Sequence, residues 1–303
     1  MTGKGDILLQ AKGLERRDGP RVRLRGLDLE LRRGEVMGLL GVNGAGKSTA
    51  LALLGGALRP TRGEVRILGH DLHRDPLRAR RLLGLLPEHP PLYPGLTLDE
   101  NLDFAARLRG LSRCEARKAR ERVKRRLDLV PFGRRLAGRL SRGMAQRAGI
   151  AQALVHDPRV LILDEPTAGL DPAQARDLRA LVEELREERA VLLATHLLQD
   201  VERLCRRVTL LREGRVVLQE RLDALPRARV RLLHPPAPEA LLRLPGVTGA
   251  QATGEGWFEL TLEDAPADLA ERIAHQGWGL ADYLGGGRDL ERLVTAMVEE
   301  EAA

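Results

Sequence analysis

The sequence is poor in aromatic residues and cysteines, and it has no long apolar run. Aromatic residues make up 2% of the 303 residues, so the rings on which single-stranded nucleic acids stack are scarce. The two cysteines, Cys114 and Cys205, lack the paired spacing of a metal site or a redox pair. No segment approaches the ~18 apolar residues needed to cross a bilayer. We therefore expect a chain that is soluble by itself and suited to a reducing cytoplasm.

Basic charge is abundant but dispersed. Lysine and arginine total 50 against 43 acidic residues, which gives a formal net charge of +7 and a pI near 10. Only five of these cations are lysines, and the arginines are spread along the whole chain. A nucleic-acid surface usually shows a basic cluster. We therefore expect no nucleic-acid partner and interpret the basicity as a composition bias, with some attraction to an anionic membrane surface.

A glycine-rich segment between residues 41 and 49 predicts a phosphate site. It follows the apolar run Val36–Leu40 and precedes the helical run Ala50–Leu54, which is the strand, loop and helix order that a phosphate-binding loop requires. Glycines let backbone N–H groups turn toward phosphate oxygens, and the helix N-terminus adds partial positive charge. This order disfavours the alternative, a turn that only caps a helix. The predicted nucleotide ligands are Gly41, Val42, Asn43, Gly44, Ala45, Gly46, Lys47, Ser48 and Thr49.

Within this loop, Lys47 is expected to reach the β- and γ-phosphates, and Ser48 to bind Mg²⁺. A second apolar run, residues 160–163, ends in the two carboxylates Asp164 and Glu165. Successive strand side chains point to opposite faces, so we assign Asp164 to Mg²⁺ and Glu165 to the general base for an attacking water. An acidic pair after a strand is more often a solvated helix cap, but the phosphate loop favours the functional interpretation.

Three further segments resemble motifs of the ABC-family ATPases. The segment Leu-Ser-Arg-Gly-Met at residues 140–144 resembles the family signature, Ala-Gly-Leu-Asp at 168–171 resembles the D-loop, and Ala-Thr-His at 194–196 resembles the switch histidine. Together with the two motifs above they lie in family order, and the resemblance covers about residues 7 to 220. The fold that this resemblance implies is α/β: a P-loop NTPase with an antiparallel β region and a helical subdomain.

The family resemblance implies a site that two chains share. Two such domains stack head to tail, so Ser141 and Gly143 would bind the ATP held by the other domain, and Asp171 would link the two sites. His196 would contact the γ-phosphate and position the attacking water. The implied cofactors are ATP and Mg²⁺. The implied catalytic residues are Lys47, Glu165 and His196.

The chain departs from the common family pattern in two motifs that mark a subfamily. The signature has Arg142 and Met144 where the commonest form has glycine and glutamine, which resembles a variant of type-2 ABC exporters. Glu88 stands where many members have the glutamine that senses Mg²⁺. A carboxylate is still an acceptor that can bind Mg²⁺, so Glu88 joins Ser48 and Asp164 as a predicted metal ligand. The loop around Glu88 resembles that of exporter ATPases of the gliding-motility type.

A third departure concerns the base of the nucleotide. Asp18 stands where family members usually have an aromatic side chain that stacks on adenine. Adenine binding at Asp18 itself is therefore not expected. The neighbouring Arg16 or Arg17 offers a planar guanidinium that can stack instead.

The chain is predicted to contain two domains. Residues 1–225 form the ATP-binding domain, with the antiparallel region at 7–31 and 64–68 and the helical subdomain at about 90–150. The charged stretch 107–126 of that subdomain is either a solvated helix face or, by resemblance, a surface that docks on a membrane partner; the two are compatible.

Prolines after residue 225 mark a boundary between the two domains. Residues 226–303 predict a small α+β domain in a ferredoxin-like order, with strand 229–233, helix 239–244, strands 247–251 and 257–262, helix 266–276, strand 278–283 and a closing helix 289–300.

The favoured function is the ATP-binding and ATP-hydrolysing subunit of an ABC exporter. Its implied partners are a membrane-spanning permease and a second ATP-binding subunit, identical or related, and its implied place is cytoplasmic, peripheral at the inner face of the cell membrane. One alternative is a soluble ABC-type ATPase that acts on nucleic acid or ribosomes, although such proteins usually carry paired ATPase domains, long coiled coils or zinc-binding cysteines. The other is a binding module for which ATP is only a dimerisation ligand.

Overall fold

The computed structural model describes residues 6–42, 44–222, 227–263 and 268–284. The chain divides into two compact units, residues 1–221 and 222–303. Two predicted features lie outside the described residues: the nucleotide ligand Asn43 and the closing helix 289–300. The predicted domain boundary at residue 226 also falls on a segment outside them.

The first unit contains one ten-stranded sheet with two parts. The strands are β1 (Ile7–Asp18), β2 (Arg21–Arg32), β3 (Val36–Leu40), β4 (Arg62–Ile67), β5 (His70–Asp71), β6 (Leu83–Leu86), β7 (Val160–Asp164), β8 (Ala190–Thr195), β9 (Arg207–Arg212) and β10 (Arg215–Arg221). Their order across the sheet is β5-β4-β1-β2-β10-β9-β3-β8-β7-β6. Strands β9, β3, β8, β7 and β6 are parallel, whereas β5, β4, β1 and β2 are antiparallel.

The parallel part positions the functional residues. Strands β3 and β8 are buried along their whole length, as their continuous apolar sequences predict for strands that are covered on both faces. The register pairs Leu40 with Thr195 and Asp164 with Ala194. The carboxyl ends of β3, β8 and β7 therefore meet at one edge, which is where open α/β sheets bind ligands.

Helices cover the parallel strands, and those between residues 98 and 154 fall in the region of the predicted helical subdomain. They are α1 (Lys47–Leu54), α2 (Pro76–Arg81), α3 (Leu98–Leu108), α4 (Arg113–Arg126), α5 (Arg142–Leu154), α6 (Pro172–Arg186) and α7 (Leu198–Leu204), with 3₁₀ turns at Val130–Phe132 and Ala137–Arg139. Two of these helices begin with a capping box, α3 with Thr97 and Glu100 and α4 with Ser112 and Glu115.

The charged stretch 107–126 is not a single solvated helix. Helix α3 ends at Leu108, and α4 begins at Arg113 and buries Ala116, Ala119 and Val123. Lys124 is buried as well, with Nζ 2.6 Å from Asp99 Oδ1. One face of α4 is therefore part of the interior, and the remaining faces are solvated.

The second unit is a small antiparallel sheet with two short helices. Its elements are β11 (Arg227–Leu232), α8 (Pro238–Leu241), β12 (Val247–Gly254), β13 (Trp257–Leu262), α9 (Leu269–Ala274) and β14 (Leu280–Leu284). The strand order β12-β13-β11-β14, antiparallel throughout, is the split βαβ arrangement that the sequence order predicts. Its core includes the fully buried Val230, Leu260 and Leu262.

Candidate nucleotide site

The phosphate loop connects the end of β3 to the first turn of α1. Gly44 and Gly46 have φ angles of 84° and 106°, which favour glycine because a side chain would be strained there. A Cβ atom on Gly41 would lie 2.7 Å from the Leu211 carbonyl oxygen, and one on Gly46 would lie 3.1 Å from that of Arg23. Helix α1 has no side-chain cap, so its first backbone N–H groups are available to an anion.

Lys47 links the loop to the acidic strand end. Its side chain is buried, and Nζ donates a hydrogen bond to the Gly41 carbonyl oxygen at 2.6 Å and lies 3.8 Å from Glu165 Oε1. The buried ammonium is thus flanked by a carbonyl oxygen and a carboxylate. It lies at the loop where the motif places phosphate oxygens.

Asp164 and Glu165 differ in backbone conformation. The prediction that strand alternation points their side chains to opposite faces is therefore wrong. Strand β7 ends at Asp164, and Glu165 has a left-handed φ of 45°, so strand alternation does not separate their side chains. Burial raises the pKa of Asp164 to about 6, and the negative charges of Glu165 and Glu88 add to this effect, while Lys47 and the Glu88 backbone amide oppose it. The two carboxylates thus share one electrostatic environment with Glu88 and Lys47.

Glu165 has two hydrogen-bond partners at the end of β8. Thr195 Oγ1 donates to Glu165 Oε2 at 3.1 Å, and His196 Nδ1 lies 2.8 Å from Oε1. The acceptor is a carboxylate, so we assign the Nδ1 proton to the histidine, which then presents Nε2 as an acceptor. Only 9% of the Glu165 side chain is exposed, against 51% of the His196 side chain. The geometry fixes the carboxylate and leaves the imidazole accessible.

Thr195 is a residue of this site that no sequence motif predicted. The place of Thr195 in the sequence could have predicted this role. Thr195 precedes the switch histidine and ends a fully buried strand, where a hydroxyl must find a hydrogen-bond partner. Thr195 also accepts a hydrogen bond from the Leu197 backbone N–H at 3.0 Å. It therefore fixes both Glu165 and the turn that carries His196.

The signature and D-loop residues make local hydrogen bonds, and in the part of the chain that the structure describes none of these reaches the cluster. Ser141 caps α5 by accepting from the Met144 N–H at 3.3 Å. Asp171 caps α6 by accepting from the N–H groups of Ala173 and Gln174 at 3.0 and 2.9 Å. The structure therefore brings Lys47, Asp164, Glu165 and His196 together, and it gives Ser141 and Asp171 helix-capping roles within the chain.

Two close approaches join the signature to the D-loop. A Cβ atom on Gly143 would lie 2.4 Å from Gln174 Oε1, and one on Gly169 would lie 2.2 Å from the guanidinium carbon of Arg142. A side chain on either glycine would therefore have to displace the end of the Gln174 or Arg142 side chain. Arg142, the departure in the signature, covers the backbone of Gly169.

A buried ionic cluster is centred on α7, the helix that follows the switch histidine in the chain. Asp200 on α7 is fully buried; it accepts from Arg179 Nε on α6 at 2.6 Å and from the hydroxyl of Thr167. A buried carboxylate needs such partners because an unpaired charge costs several kcal/mol. Asp200 therefore holds together α7, α6 and the segment after Glu165. No sequence motif predicts this cluster.

A cavity of ≈ 410 Å³ adjoins the phosphate loop. Arg16 and Arg17, the predicted stacking residues, are not among the residues that line it: Arg16 pairs with Asp18 at 2.7 Å, and Arg17 pairs with Glu15. No aromatic residue of the described chain lines this cavity. Its lining consists of Arg21, Val22, Arg23, Arg25, Val42, Gly44, Gly46, Lys47, Ser48, Thr49, Glu213 and Gly214.

Comparison with known proteins decides the family. The profile of the ABC transporter family matches residues 24–168. The chain is 35% identical to the ABC transporter ATP-binding protein NatA of Bacillus subtilis over 204 residues, which are 67% of this chain and 83% of that protein. The chain belongs to the ABC transporter ATP-binding proteins.

Other members of this ABC family support the assignment. The daunorubicin resistance ATP-binding protein DrrA3 of Streptomyces coeruleorubidus is 37% identical, over 73% of this chain and 70% of that protein. A bacterial ABC transporter cassette solved as a dimer is 27% identical with a TM-score of 0.64, over 71% of this chain and 99% of the cassette. The same cassette has been solved as a dimer in a post-hydrolysis state bound to ADP and Pi.

These findings confirm the predicted fold class and activity. The chain is an ATP-hydrolysing subunit of an ABC transporter of the type-2 exporter kind, and ATP is its nucleotide. They do not favour the alternative ATPase on nucleic acid or ribosomes, nor a module that only binds ATP. In the part of the chain that the structure describes, no helix has both the length and the apolar character to cross a bilayer.

Proposed function

We propose that this chain forms a head-to-tail dimer around two ATP molecules and hydrolyses them with Glu165 as general base. The observation that carries the proposal is the cluster of Lys47, Glu165, Thr195 and His196 at the carboxyl edge of the sheet, next to the phosphate loop. In this arrangement the backbone N–H groups of residues 41–49 bind the phosphates.

The partner's signature would complete each site. Ser141 and Gly143 lie at the N-terminus of α5, where backbone N–H groups and the helix dipole favour an anion. Ser141 and the neighbouring Asp171 are exposed, and both are already oriented by their caps. A second copy of this chain, or a related chain, can therefore supply Ser141 and Gly143 to the γ-phosphate, while Asp171 contacts the opposite site.

The residues present fit Mg²⁺ as the metal. Mg²⁺ prefers oxygen ligands and is usually bound by one or two carboxylates together with substrate phosphates. Ser48, Asp164 and Glu88 supply such oxygens. Burial raises the pKa of Asp164, and the negative charges of Glu165 and Glu88, which a cation would relieve, add to this effect. Mg²⁺ bound there would neutralise charge on the transferred phosphoryl group.

In the proposed reaction, a water oxygen attacks the γ-phosphorus of ATP, and the bond to the β–γ bridging oxygen breaks, giving ADP and phosphate. Glu165 accepts a proton from the water. Thr195 and His196 hold the two oxygens of Glu165, and Nε2 of His196, an acceptor in this tautomer, can accept a hydrogen bond from the attacking water next to the γ-phosphate. Lys47 stabilises the charge that develops on the phosphate oxygens.

We propose a membrane-spanning permease as the second partner, docked on the helical subdomain at the inner face of the cell membrane. Tyr93, Phe104 and Leu108 of this subdomain are 50%, 40% and 70% exposed. The rings of Tyr93 and Phe104 pack edge to face at 5.3 Å. Exposed neighbouring apolar side chains are typical of interaction sites. The related proteins named for daunorubicin resistance and bacitracin transport make export of small molecules the proposed task.

The dimer test uses Glu165→Gln, which keeps the shape of the side chain and removes its basicity. We expect the variant to be monomeric without nucleotide and dimeric by light scattering with saturating ATP and Mg²⁺, because hydrolysis no longer separates the subunits. Asp177→Asn, on the exposed face of α6, is the matched control and should hydrolyse ATP normally. A Glu165→Gln chain that stays monomeric with ATP would contradict the proposal.

The permease test is recovery of the tagged chain from detergent-solubilised membranes of its own cell. We expect a polytopic membrane protein at a near-equal ratio, and we expect Phe104→Asp to lose it while ATP binding is retained. Recovery of ribosomal or nucleic-acid partners in its place would refute the permease assignment.

A further inference from the structure

The cavity beside the phosphate loop carries a row of arginines where an aromatic ring would be expected. Arg21, Arg23 and Arg25 occupy alternate positions of β2 and all line the cavity. The β1–β2 register shifts at Arg23, between the pairs Arg16–Leu24 and Arg17–Val22. The row is therefore defined by the three side chains that line the cavity and not by strict strand alternation.

The row is held at a fixed place relative to the phosphate loop. The Arg25 N–H donates to the Gly214 carbonyl at 2.7 Å, and the Gly214 N–H donates to the Ala45 carbonyl at 2.8 Å. A Cβ atom on Gly214 would lie 2.5 Å from the Arg23 carbonyl oxygen. The β9–β10 turn thus braces β2 against the loop that binds the phosphates.

The length of the row matches a ligand that extends away from the phosphates. From Arg25 to Arg21 the strand advances by at most about 14 Å, since a strand rises about 3.4 Å per residue. The Arg23 carbonyl lies beside the phosphate loop at Gly46. Arg21 lies opposite Asp18 in the β1–β2 backbone register, at the hairpin end of β2. A nucleotide with its phosphates on the loop would therefore extend its sugar and base along Arg23 and Arg21.

Asp18 orients the central arginine. Its Oδ2 atom lies 3.3 Å from Arg23 Nε, and its Oδ1 atom lies 2.7 Å from an Arg16 nitrogen. The hydrogen bond from Arg16 lowers the pKa of Asp18, so the carboxylate is ionised at neutral pH. The N–H bonds of a guanidinium lie in its plane, and a carboxylate bound to that edge leaves both faces open. By contrast, no carboxylate oxygen of the described residues lies within 4.0 Å of an Arg21 nitrogen.

We propose that Arg23, oriented by Asp18, is the base-stacking residue of this ATPase, in place of an aromatic ring. This inference rests on the proposed nucleotide site and assigns its base contact. A guanidinium stacks on flat π systems, and the chain already uses this contact elsewhere, since the Arg229 guanidinium carbon lies 5.1 Å from the ring centroid of Trp257. Asp18 is then a positioning residue for Arg23.

Stacking has a consequence for nucleotide selection. Every base presents a π face, so stacking discriminates weakly between bases. Glu213 is the one carboxylate among the residues that line the cavity, and the arginines bear only donors. We therefore expect ADP and GDP to bind with affinities within about threefold of each other.

The test compares ADP with pyrophosphate, which has the two phosphates but no sugar or base. Calorimetry on the full chain with Mg²⁺ should give an ADP Kd about tenfold higher for Arg23→Ala than for the wild type, within the range seen when stacking residues are truncated. Pyrophosphate should bind both chains equally.

Arg23→Lys should behave like Arg23→Ala toward ADP because it keeps the charge but loses the planar guanidinium, and Arg23→Tyr should recover most of the affinity for ADP. Arg66→Ala, an exposed arginine of β4 paired with Glu64, is the matched control and should change neither Kd.

Asp18→Asn separates orientation from electrostatics by the sign of its effect. Loss of a negative charge beside the cavity would strengthen the binding of both anions if the arginines acted only as charges. Orientation of Arg23 predicts weaker ADP binding, by about threefold, with pyrophosphate unchanged or slightly tighter.

The outcomes are distinct. Equal losses for ADP and pyrophosphate in Arg23→Ala, or tighter ADP binding in Asp18→Asn, would overturn the stacking assignment and leave the nucleotide site intact. An ADP preference over GDP of more than about tenfold would overturn stacking as the base contact, since it demands hydrogen-bond readout. Failure of the wild type to bind either ligand would refute the proposed function itself.

Discussion

His196 Nδ1 lies 2.8 Å from Glu165 Oε1, while Thr195 Oγ1 donates to the other oxygen of the same carboxylate. Two successive residues at the end of β8 thus hold both oxygens of a residue that follows β7. This is possible because β7 and β8 are neighbours in parallel register, with Asp164 opposite Ala194. The position of Glu165 therefore depends on strand order as much as on its own motif.

Thr195→Val is predicted to lower kcat by about tenfold, because it leaves one oxygen of a buried carboxylate without its donor, a loss of about 1–3 kcal/mol. KM for ATP should change little, since Thr195 does not line the nucleotide cavity. Steady-state ATP hydrolysis measures both constants. Thr209→Val is the matched control, because Thr209 is also a fully buried strand threonine but lies on β9; its kcat should stay within about twofold of the wild type. A kcat for Thr195→Val equal to that of the control would show that the hydrogen bond does not matter.

Gly169→Ala is predicted to impair hydrolysis through Arg142. A Cβ atom there would lie 2.2 Å from the Arg142 guanidinium carbon, so the arginine must move away from the D-loop. Gly34→Ala is the control for backbone strain, since Gly34 has a comparable φ of 76° and nothing within 4 Å of its Cβ position. We expect both variants to lose about 1 kcal/mol of unfolding free energy, and only Gly169→Ala to lose ATPase activity.

The coupling between Gly169 and Arg142 is measured with a double variant. If Arg142 transmits the effect, Arg142→Ala combined with Gly169→Ala should have the ATPase rate of Arg142→Ala alone, because residues in contact are not additive. Fully additive losses would mean that the two residues act separately.

The sequence predicted the parallel strands, the phosphate loop and the carboxylate cluster because each rests on local chemistry: a continuous apolar run, a glycine pattern, or a polar residue at a strand end. It misjudged the relation of Asp164 to Glu165, since a left-handed backbone at Glu165 cannot be deduced from strand periodicity. It also missed the Arg23 row and the Asp200 cluster. Both depend on contacts between segments distant in the chain, for which no short motif exists.

His156 is predicted to make stability fall on acidification. Burial lowers its pKa to about 4, and the positive charge of Arg109 adds to this. The unfolded chain, with a histidine pKa near 6.5, therefore binds the proton more readily than the folded chain. Stability is complete above pH ~6.5, and it is lost progressively down to pH ~4, by on the order of 1–3 kcal/mol.

The test of this prediction is urea unfolding at pH 7.5 and pH 5.0. The Nε2 atom of His156 lies 3.0 Å from the Leu83 carbonyl oxygen, so His156→Gln can keep a donor to that carbonyl without a titrating group. The variant should show a smaller difference in midpoint between the two pH values than the wild type. An unchanged difference would assign the acid sensitivity to other groups.

Asp200→Asn is predicted to be the most destabilising of these changes. The substitution leaves Arg179, whose side chain is 17% exposed, without its charged partner, and breaking a buried ion pair costs about 3–5 kcal/mol. Asp177→Asn is a matched control on α6, because Asp177 forms an ion pair at 3.2 Å with Arg147 but is 55% exposed; it should cost about 0–1 kcal/mol. Urea midpoints compare the two. Because Asp200 also accepts from Thr167, two residues after Glu165, the folded Asp200→Asn chain should in addition have a lower kcat than the Asp177→Asn chain. Equal stabilities and equal rates for the two variants would show that the cluster neither supports the fold nor positions the general base.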